Sequence, residues 1–452
     1  MFSKIEKFVF LALVFSIPFQ RRFFLFGPSP EGEGFFEWSS GFLYFTDILV
    51  ILLVVFWLKS VYPKFNFGRR YKAGFGTVFV LFAFLVFAFA SLTQADLINV
   101  AVYRFIKLTE FIFLFFYVAS YARIIGLKSI LATFIASGVF QSIIAILQFA
   151  KQSSLGLEIF HESILEIGLK GVAEISAGGM EFIRAYGTFP SPNVLAGFLG
   201  ICLLFVFHLF LKPSNPRESN AASPLIYGIA IFLLSFGLIL TFSRGVIVFF
   251  IFTAILFFTG IFLLEKLKKH RKQAIRLAIL VIVSWLLLIT AIWPEVSARF
   301  LESSVSEPAI QERLFFNEVG LDTVRQNYSQ LFFGVGIGNF VYHYMQSLPD
   351  LAPYLYQPVH NIFILIASEI GILGFIAFIL FLVGISYRAT IEFFKQSNFE
   401  NLFLYILILN SLFLILISMY DHYFWTLQQG SLMLWISLGL LAAGTSYYNK
   451  RP

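Results

Sequence analysis

The chain has 452 residues, of which 59% are hydrophobic and only 13% charged, with a formal net charge of +7. A soluble globular domain carries about 25% charged residues, so this composition excludes one. The single cysteine, Cys202, excludes an intramolecular disulfide and any multi-cysteine metal site and reads as a small buried hydrophobe. The basic excess calls for no nucleic acid, because positively charged inner loops of a membrane protein account for it.

Apolar runs of about 20 residues, enough to cross a bilayer as a helix, recur without period-2 alternation, so the spanning elements are predicted to be helices rather than barrel strands. In chain order, spans are expected near residues 8–19, 42–58, 75–92, 99–121, 129–150, 192–211, 224–241, 245–264, 277–293, 361–387, 401–420 and 424–445. The first, "MFSKIEKFVFLALVFSIPFQ", has a charged head and no small-residue cleavage site, and reads as a retained helix. The basic stretches Lys59–Lys72 and Glu265–Arg276 mark the cytoplasmic side. Alternation from them places both termini in the cytoplasm. The expectation is an all-α polytopic membrane protein with about 12 transmembrane helices, forming a single membrane domain over residues 1–452 without internal repeats.

Two outer segments are long, residues 151–191 and 294–359, and loops of that length usually serve a function. The second contains "AIQERLFFNEVGLDTVRQN", in which Ile310, Leu314, Leu321 and Val324 fall near one helical face and Arg313, Glu318, Asp322 and Arg325 off it. This predicts an amphipathic helix, lying on the outer surface or capping the bundle.

Costly polar groups gather at the outer ends of spans. Arg244 follows Ser243 inside "LSFGLILTFSRGVIVFFIF". An arginine there either faces a cavity or a ligand, or snorkels to the headgroups. Arg184 and Asn193 flank the turn in "FIRAYGTFPSPNVLAGF", and "YQPVHNIFILIASEIGILGF" puts His360 and Asn361 at a span start, with Glu369 deeper beside Gly371 and Gly374. In "YRFIKLTEF", Arg104, Lys107 and Glu110 recur every three residues, so Lys107 and Glu110 are spaced to pair locally. Asp47 enters the second span, and Asp421 and His422 sit at the tip between the last two. The glycine-rich "GVGIGNF", Gly334–Phe340, lacks the context of a nucleotide loop and reads as a tight turn, and no GxxxxGK[ST] motif is present. The outer aspartates are scattered, so no metal set is expected. Outer arginines without a metal suggest a bound anion held by charge-assisted contacts, such as the diphosphate of a lipid carrier.

Taken in order, "RAYGTFPSPN", "TFSRG", "ERLFFNEVG…FFGVGIGNF" and "HNIFILIASEIGILG" resemble the O-antigen ligase and O-antigen polymerase superfamily, over roughly Arg184 to Gly430. The resemblance implies a mostly helical, glycosyltransferase C-like fold in the cytoplasmic (inner) membrane, with its active site facing the periplasm or exterior. It also implies metal-independent, inverting transfer, without a cofactor, of a glycan from undecaprenyl diphosphate to an acceptor hydroxyl on a glycan or glycolipid. Arg184 and Arg244 would contact the donor diphosphate, and His360 would position or deprotonate the acceptor. Asn193, Asn361, Lys107 and Glu369 are further candidates for substrate contact, and His422 is left open. Whether the acceptor is lipopolysaccharide core, as for a ligase, or another lipid-linked repeat, as for a polymerase, stays open, with the longer second outer segment favouring a ligase. The alternative from another class is a transporter for an anion or a lipid-linked sugar, drawing on Arg104, Lys107 and Glu110.

Overall fold

The computed structural model describes residues 4–28, 37–61, 75–211, 224–301, 308–351, 355–395 and 401–445. Outside them lie most of the basic stretch Lys59–Lys72, the terminal residues 1–3 and 446–452 expected in the cytoplasm, and residues 302–307 and 352–354 of the second outer segment.

In chain order the elements are α1 (Lys4–Ser16), β1 (Arg22–Phe26), β2 (Gly41–Tyr44), α2 (Phe45–Val61), α3 (Phe75–Ser91), α4 (Ile98–Ile125), α5 (Leu127–Lys151), β3 (Glu174–Ala177), β4 (Met180–Ile183), α6 (Pro192–Leu211), α7 (Pro224–Leu240), α8 (Arg244–Leu263), α9 (Arg271–Ala291), α10 (Trp293–Phe300), α11 (Pro308–Arg325), α12 (Tyr328–Phe333), α13 (Phe340–Ser347), α14 (Ile362–Lys395), α15 (Asn401–Ser418), α16 (Tyr423–Thr426) and α17 (Gln428–Thr445). Among the described residues, eight helices are long and apolar enough to cross a membrane, and α7 is a shorter apolar helix. The chain is thus a mostly helical, multi-pass membrane protein. The other three expected spans correspond to α1 with 13 residues, α2 with 17, and α17 with 18.

Two small antiparallel strand pairs accompany the helices: β1 pairs with β2, and β3 with β4. The β3–β4 turn is Gly178–Gly179, both at positive φ. Two-residue hairpin turns of this hand need that conformation at both positions, and glycine adopts it without strain.

The chain's packing divides it into two compact units. The first comprises Met1–Arg21, Ala122–Ser304 and Ile391–Ile417. At its centre α6 is buried nearly all round. Small residues let its neighbours approach: a side chain at Gly138 would collide with Cys202 and Leu234, and one at Gly237 with Ser142 and Leu199. Cys202 is fully buried, and its Sγ donates to the Phe134 carbonyl at 3.1 Å, as a core residue does. The outer loop after α5 is tied to that helix by glutamines. Gln148 accepts from the N–H groups of Tyr186 and Gly187, and Gln141 from that of Thr188.

The second unit comprises Arg22–Tyr121, Val305–Thr390 and Ser418–Pro452. Phe316, Val335, Phe340, Tyr344, Val359 and Leu365 form one of its cores. The predicted amphipathic helix is present as α11, but its buried face differs from the expected one. Phe316, Gly320, Thr323 and Val324 are buried, Leu314 and Leu321 are exposed, and half-buried Arg313 lies on the inward side. The Gly334–Phe340 stretch is a turn laid on α14. Val335 N–H donates to the Ser368 carbonyl at 2.9 Å, and Gly336 N–H to that of Glu369 at 3.0 Å. Just beyond, Gly371 (φ +80°) breaks the helical path of α14, and any side chain there would strike the Phe332 carbonyl.

Candidate active site

In the second unit α14 opens on His360–Asn361. Asn361 Oδ1 accepts the N–H groups of Phe363 at 2.9 Å and Ile364 at 3.3 Å, capping the helix and fixing where His360 lies. His360 faces the loop before α16. Its Nδ1 is 3.8 Å from Asp421 Oδ1, and its ring centre is 4.9 Å from that of His422. Asp421 is 5% exposed, and its Oδ1 accepts the His422 N–H at 2.8 Å. Trp38 meets the His422 ring edge-on at 5.7 Å, and Phe316 of α11 lies 5.9 Å from the His360 ring. One turn before Phe316, the Arg313 guanidinium stacks over Tyr420 at 4.2 Å.

The electrostatics follow from this packing. Burial pushes the Asp421 carboxyl up, but contact with His360 and the charges of His422, His360 and Arg313 outweigh it and hold the group well below the usual carboxylate range. For His422 burial is the largest effect. It acts with repulsion from His360 and Arg313 against the attraction of Asp421, and drives the imidazole down to about 3. Near neutral pH the site therefore holds a buried carboxylate beside His360 and a neutral imidazole next to it. The carboxylate is placed to stabilise positive charge that arises when His360 takes a proton.

The same three residues are the group, among the described residues, whose donor atoms lie close enough to share a metal ion, all within 4.8 Å of one another. An ionised carboxylate and a neutral imidazole are the forms that bind metals. One feature opposes a cation: Arg313 acts on the same carboxylate.

The arginines belong to the first unit. Phe242, at φ +46°, turns the chain from α7 into α8, so the "TFSRG" stretch is a tight turn delivering Arg244 at the helix N-terminus. Arg184 is 8% exposed; its Nε donates to the Thr241 carbonyl at 2.8 Å and its Nη2 to Asn193 Oδ1 at 3.0 Å. Ser243 Oγ donates to the same Asn193 oxygen at 2.8 Å. Arg184 and Asn193 thus brace the turn that carries Arg244. Arg299 of α10, which the sequence reading passed over, approaches it too, with Nε 3.5 Å from the Phe242 carbonyl. Arg184 and Arg299 thus contact backbone carbonyls of the turn that opens α8, and a helix N-terminus suits an anion.

Two further candidates are held in structural contacts. Lys107 bonds Asp47, and also Glu110 at 2.9 Å. Asp47 in turn accepts from the Tyr44 N–H at 2.9 Å and from Gln428 Nε2 at 2.5 Å. Glu369 is 4% exposed, and its Oε2 accepts from Trp425 Nε1 at 2.8 Å.

A family model described as O-Antigen ligase matches residues 229–379, a stretch that includes Arg244, Arg299, Arg313, His360 and Glu369. No curated protein matches the chain.

Proposed function

The chain belongs to the O-antigen ligase superfamily, and from that premise we propose that it is a metal-independent glycosyltransferase of the ligase type. It moves a glycan from undecaprenyl diphosphate to an acceptor hydroxyl at the outer face of the cytoplasmic membrane, in the twelve-span topology with both termini inside. The observation that carries this reading is the pairing of His360 with buried Asp421, 3.8 Å apart. In the reaction the acceptor oxygen attacks the anomeric carbon, and the carbon–oxygen bond to the diphosphate breaks. The acceptor proton passes to His360, and Asp421 stabilises the imidazolium. The leaving diphosphate gains negative charge, which Arg184 and Arg244 stabilise by charge-assisted hydrogen bonds. A single displacement of this kind inverts the anomeric centre.

The same chemistry serves a polymerase, whose acceptor is a second lipid-linked repeat; the two long outer segments keep that reading in view. The transporter reading is less well supported, because Lys107 is matched by Asp47 and Glu110. The test is transfer from a lipid-diphosphate glycan by purified protein. Arg244→Ala and His360→Ala should each abolish product while the protein stays folded, and full activity in both would sink the proposal.

A further inference from the structure

Asp421 and His422 meet His360 from the start of α16, a helix of only four residues, Tyr423–Thr426. A single turn is too short to hold its own shape or place, because helix nucleation costs more than its first hydrogen bonds return. Its position must be set by neighbouring elements of the second unit. Two ionisable groups that the chemistry above leaves unused, Glu369 and Arg104, meet it there.

Glu369 lies on α14, the helix that opens on His360. It is 4% exposed, and its Oε2 accepts from Trp425 Nε1 at 2.8 Å. Arg104, on α4, donates from Nη1 to the Thr426 carbonyl at 2.8 Å and acts electrostatically on the Glu369 carboxylate. The N–H groups of Gly338 and Phe340 face the same carboxylate. So α16 is tied at two successive residues, by a side chain to α14 and by its backbone to α4. The backbone closes tightly on this anchor, since a side chain at Gly338 would collide with Arg104 and one at Gly430 with the Tyr423 carbonyl.

From the anchor to the reaction centre the path is short. Thr426 Oγ1 is 2.7 Å from His422 Nδ1, and the His422 N–H donates to Asp421 Oδ1 at 2.8 Å. One helix, α14, therefore carries His360 directly and Asp421 at one remove, through Glu369, Trp425 and the single turn of α16. We propose that Glu369 is a positioning residue for transfer: by holding Trp425 it sets α16 so that the Asp421 carboxylate stands at His360, with Arg104 as the second anchor. The inference rests on the transferase reading and deepens it. Misplacement of an aligned group by about 1 Å can cost on the order of 10²-fold in rate. Trp425 also packs near Phe84 and Phe378, at ring-centre distances of 6.1 and 6.5 Å, and that packing does not depend on the hydrogen bond.

The experiment uses the full-length protein in nanodiscs and follows transfer from a lipid-diphosphate glycan. Glu369→Leu should lower kcat by about tenfold or more, with KM for donor and acceptor changed by less than about twofold. Glu369→Gln, whose amide oxygen still accepts from Trp425, should recover most of the rate. Trp425→Phe keeps an aromatic ring and loses the donor, so it should match Glu369→Leu, and the double variant should be no slower than either. In an Asp421→Asn background Glu369→Leu should cost less than about twofold, because the charge it places is gone. The proposal is overturned by a loss that is as large in that background, by losses that multiply in the double variant, or by a Glu369→Gln no faster than Glu369→Leu. If Glu369→Leu does not fold, Trp425→Phe with and without Asp421→Asn decides the matter. NMR without substrate separates this inference from the transferase reading: the His422 ring signals should move in Glu369→Leu and keep their place in Glu369→Gln. That result with an inactive wild-type protein would leave the anchor standing and remove the transferase reading. An active wild-type protein whose His422 signals ignore Glu369→Leu would do the reverse.

Discussion

His360 Nδ1 stands 3.8 Å from Asp421 Oδ1, across 61 residues of sequence and at the start of a helix capped by Asn361. If Asp421 stabilises the imidazolium formed in transfer, Asp421→Asn keeps the shape but loses the charge. General-base catalysis of this kind contributes about 10²–10⁴-fold. Asp421→Asn should therefore lower kcat by about that range with little change in KM for either substrate, read from initial rates with a lipid-diphosphate donor. A fall in kcat/KM through KM alone would assign Asp421 to binding instead.

Much of this arrangement could be read from the residues before any coordinates, and the parts that could not have identifiable causes. The helix bearing His360 was legible because a long apolar run follows Asn361. So was α11, from its 3.6-residue spacing. Its buried face was not, because charge places Arg313 off the apolar face, whereas it stacks on Tyr420 and acts on Asp421. Asp421 and His422 were visible as polar residues at a span end, but their meeting with His360 is a long-range contact that no local spacing encodes. The β3–β4 hairpin did have a local signal, the Gly178–Gly179 pair, whereas the run "RFFLF" of β1 lacks the alternation that marks a half-buried strand. The break in α14 at Gly371, where a side chain would meet the Phe332 carbonyl, had no local signal beyond the glycine itself.

The depressed His422 gives a pH dependence with a definite sign. Its imidazole is neutral in the folded protein down to about 3, whereas the unfolded chain binds the proton near the ordinary value of 6.5. Between those values the unfolded state holds more protons, so stability falls as pH is lowered, by about 1 kcal/mol per pH unit from this group. Asp421, also depressed, adds to the loss below the usual carboxylate value of 3.8. Thermal unfolding between pH 7 and pH 4 should show the midpoint dropping, with a shallower slope in His422→Gln. An equal slope in that variant would contradict the assignment.

Lys107 is 7% exposed and bonded to both Asp47 and Glu110. Removing one partner of a buried pair leaves an uncompensated charge and costs about 3–5 kcal/mol. Lys107→Met should thus destabilise strongly, and adding Asp47→Asn should recover part of the loss, which comparison of unfolding midpoints in one detergent would show. Destabilisations that simply add would mean that the two side chains do not act as a pair.

Arg299, close to the Phe242 carbonyl of the turn that carries Arg244, is expected to assist the donor diphosphate without touching the acceptor. A hydrogen bond to a charged group is worth about 1.5–3 kcal/mol, so Arg299→Ala should weaken kcat/KM for the donor by about tenfold or more and leave KM for the acceptor unchanged. An effect on the acceptor alone would move Arg299 out of the diphosphate group.

The most direct measurement is formation of glycosylated acceptor by purified protein from an undecaprenyl-diphosphate glycan, run with wild-type and His360→Ala and repeated in excess EDTA. The account predicts product from wild-type, unchanged by the chelator, and none from a folded His360→Ala. Undiminished product from His360→Ala would contradict the role of the histidine. Loss of wild-type product in EDTA, restored by a divalent ion, would instead make His360, Asp421 and His422 the ligands of a metal centre.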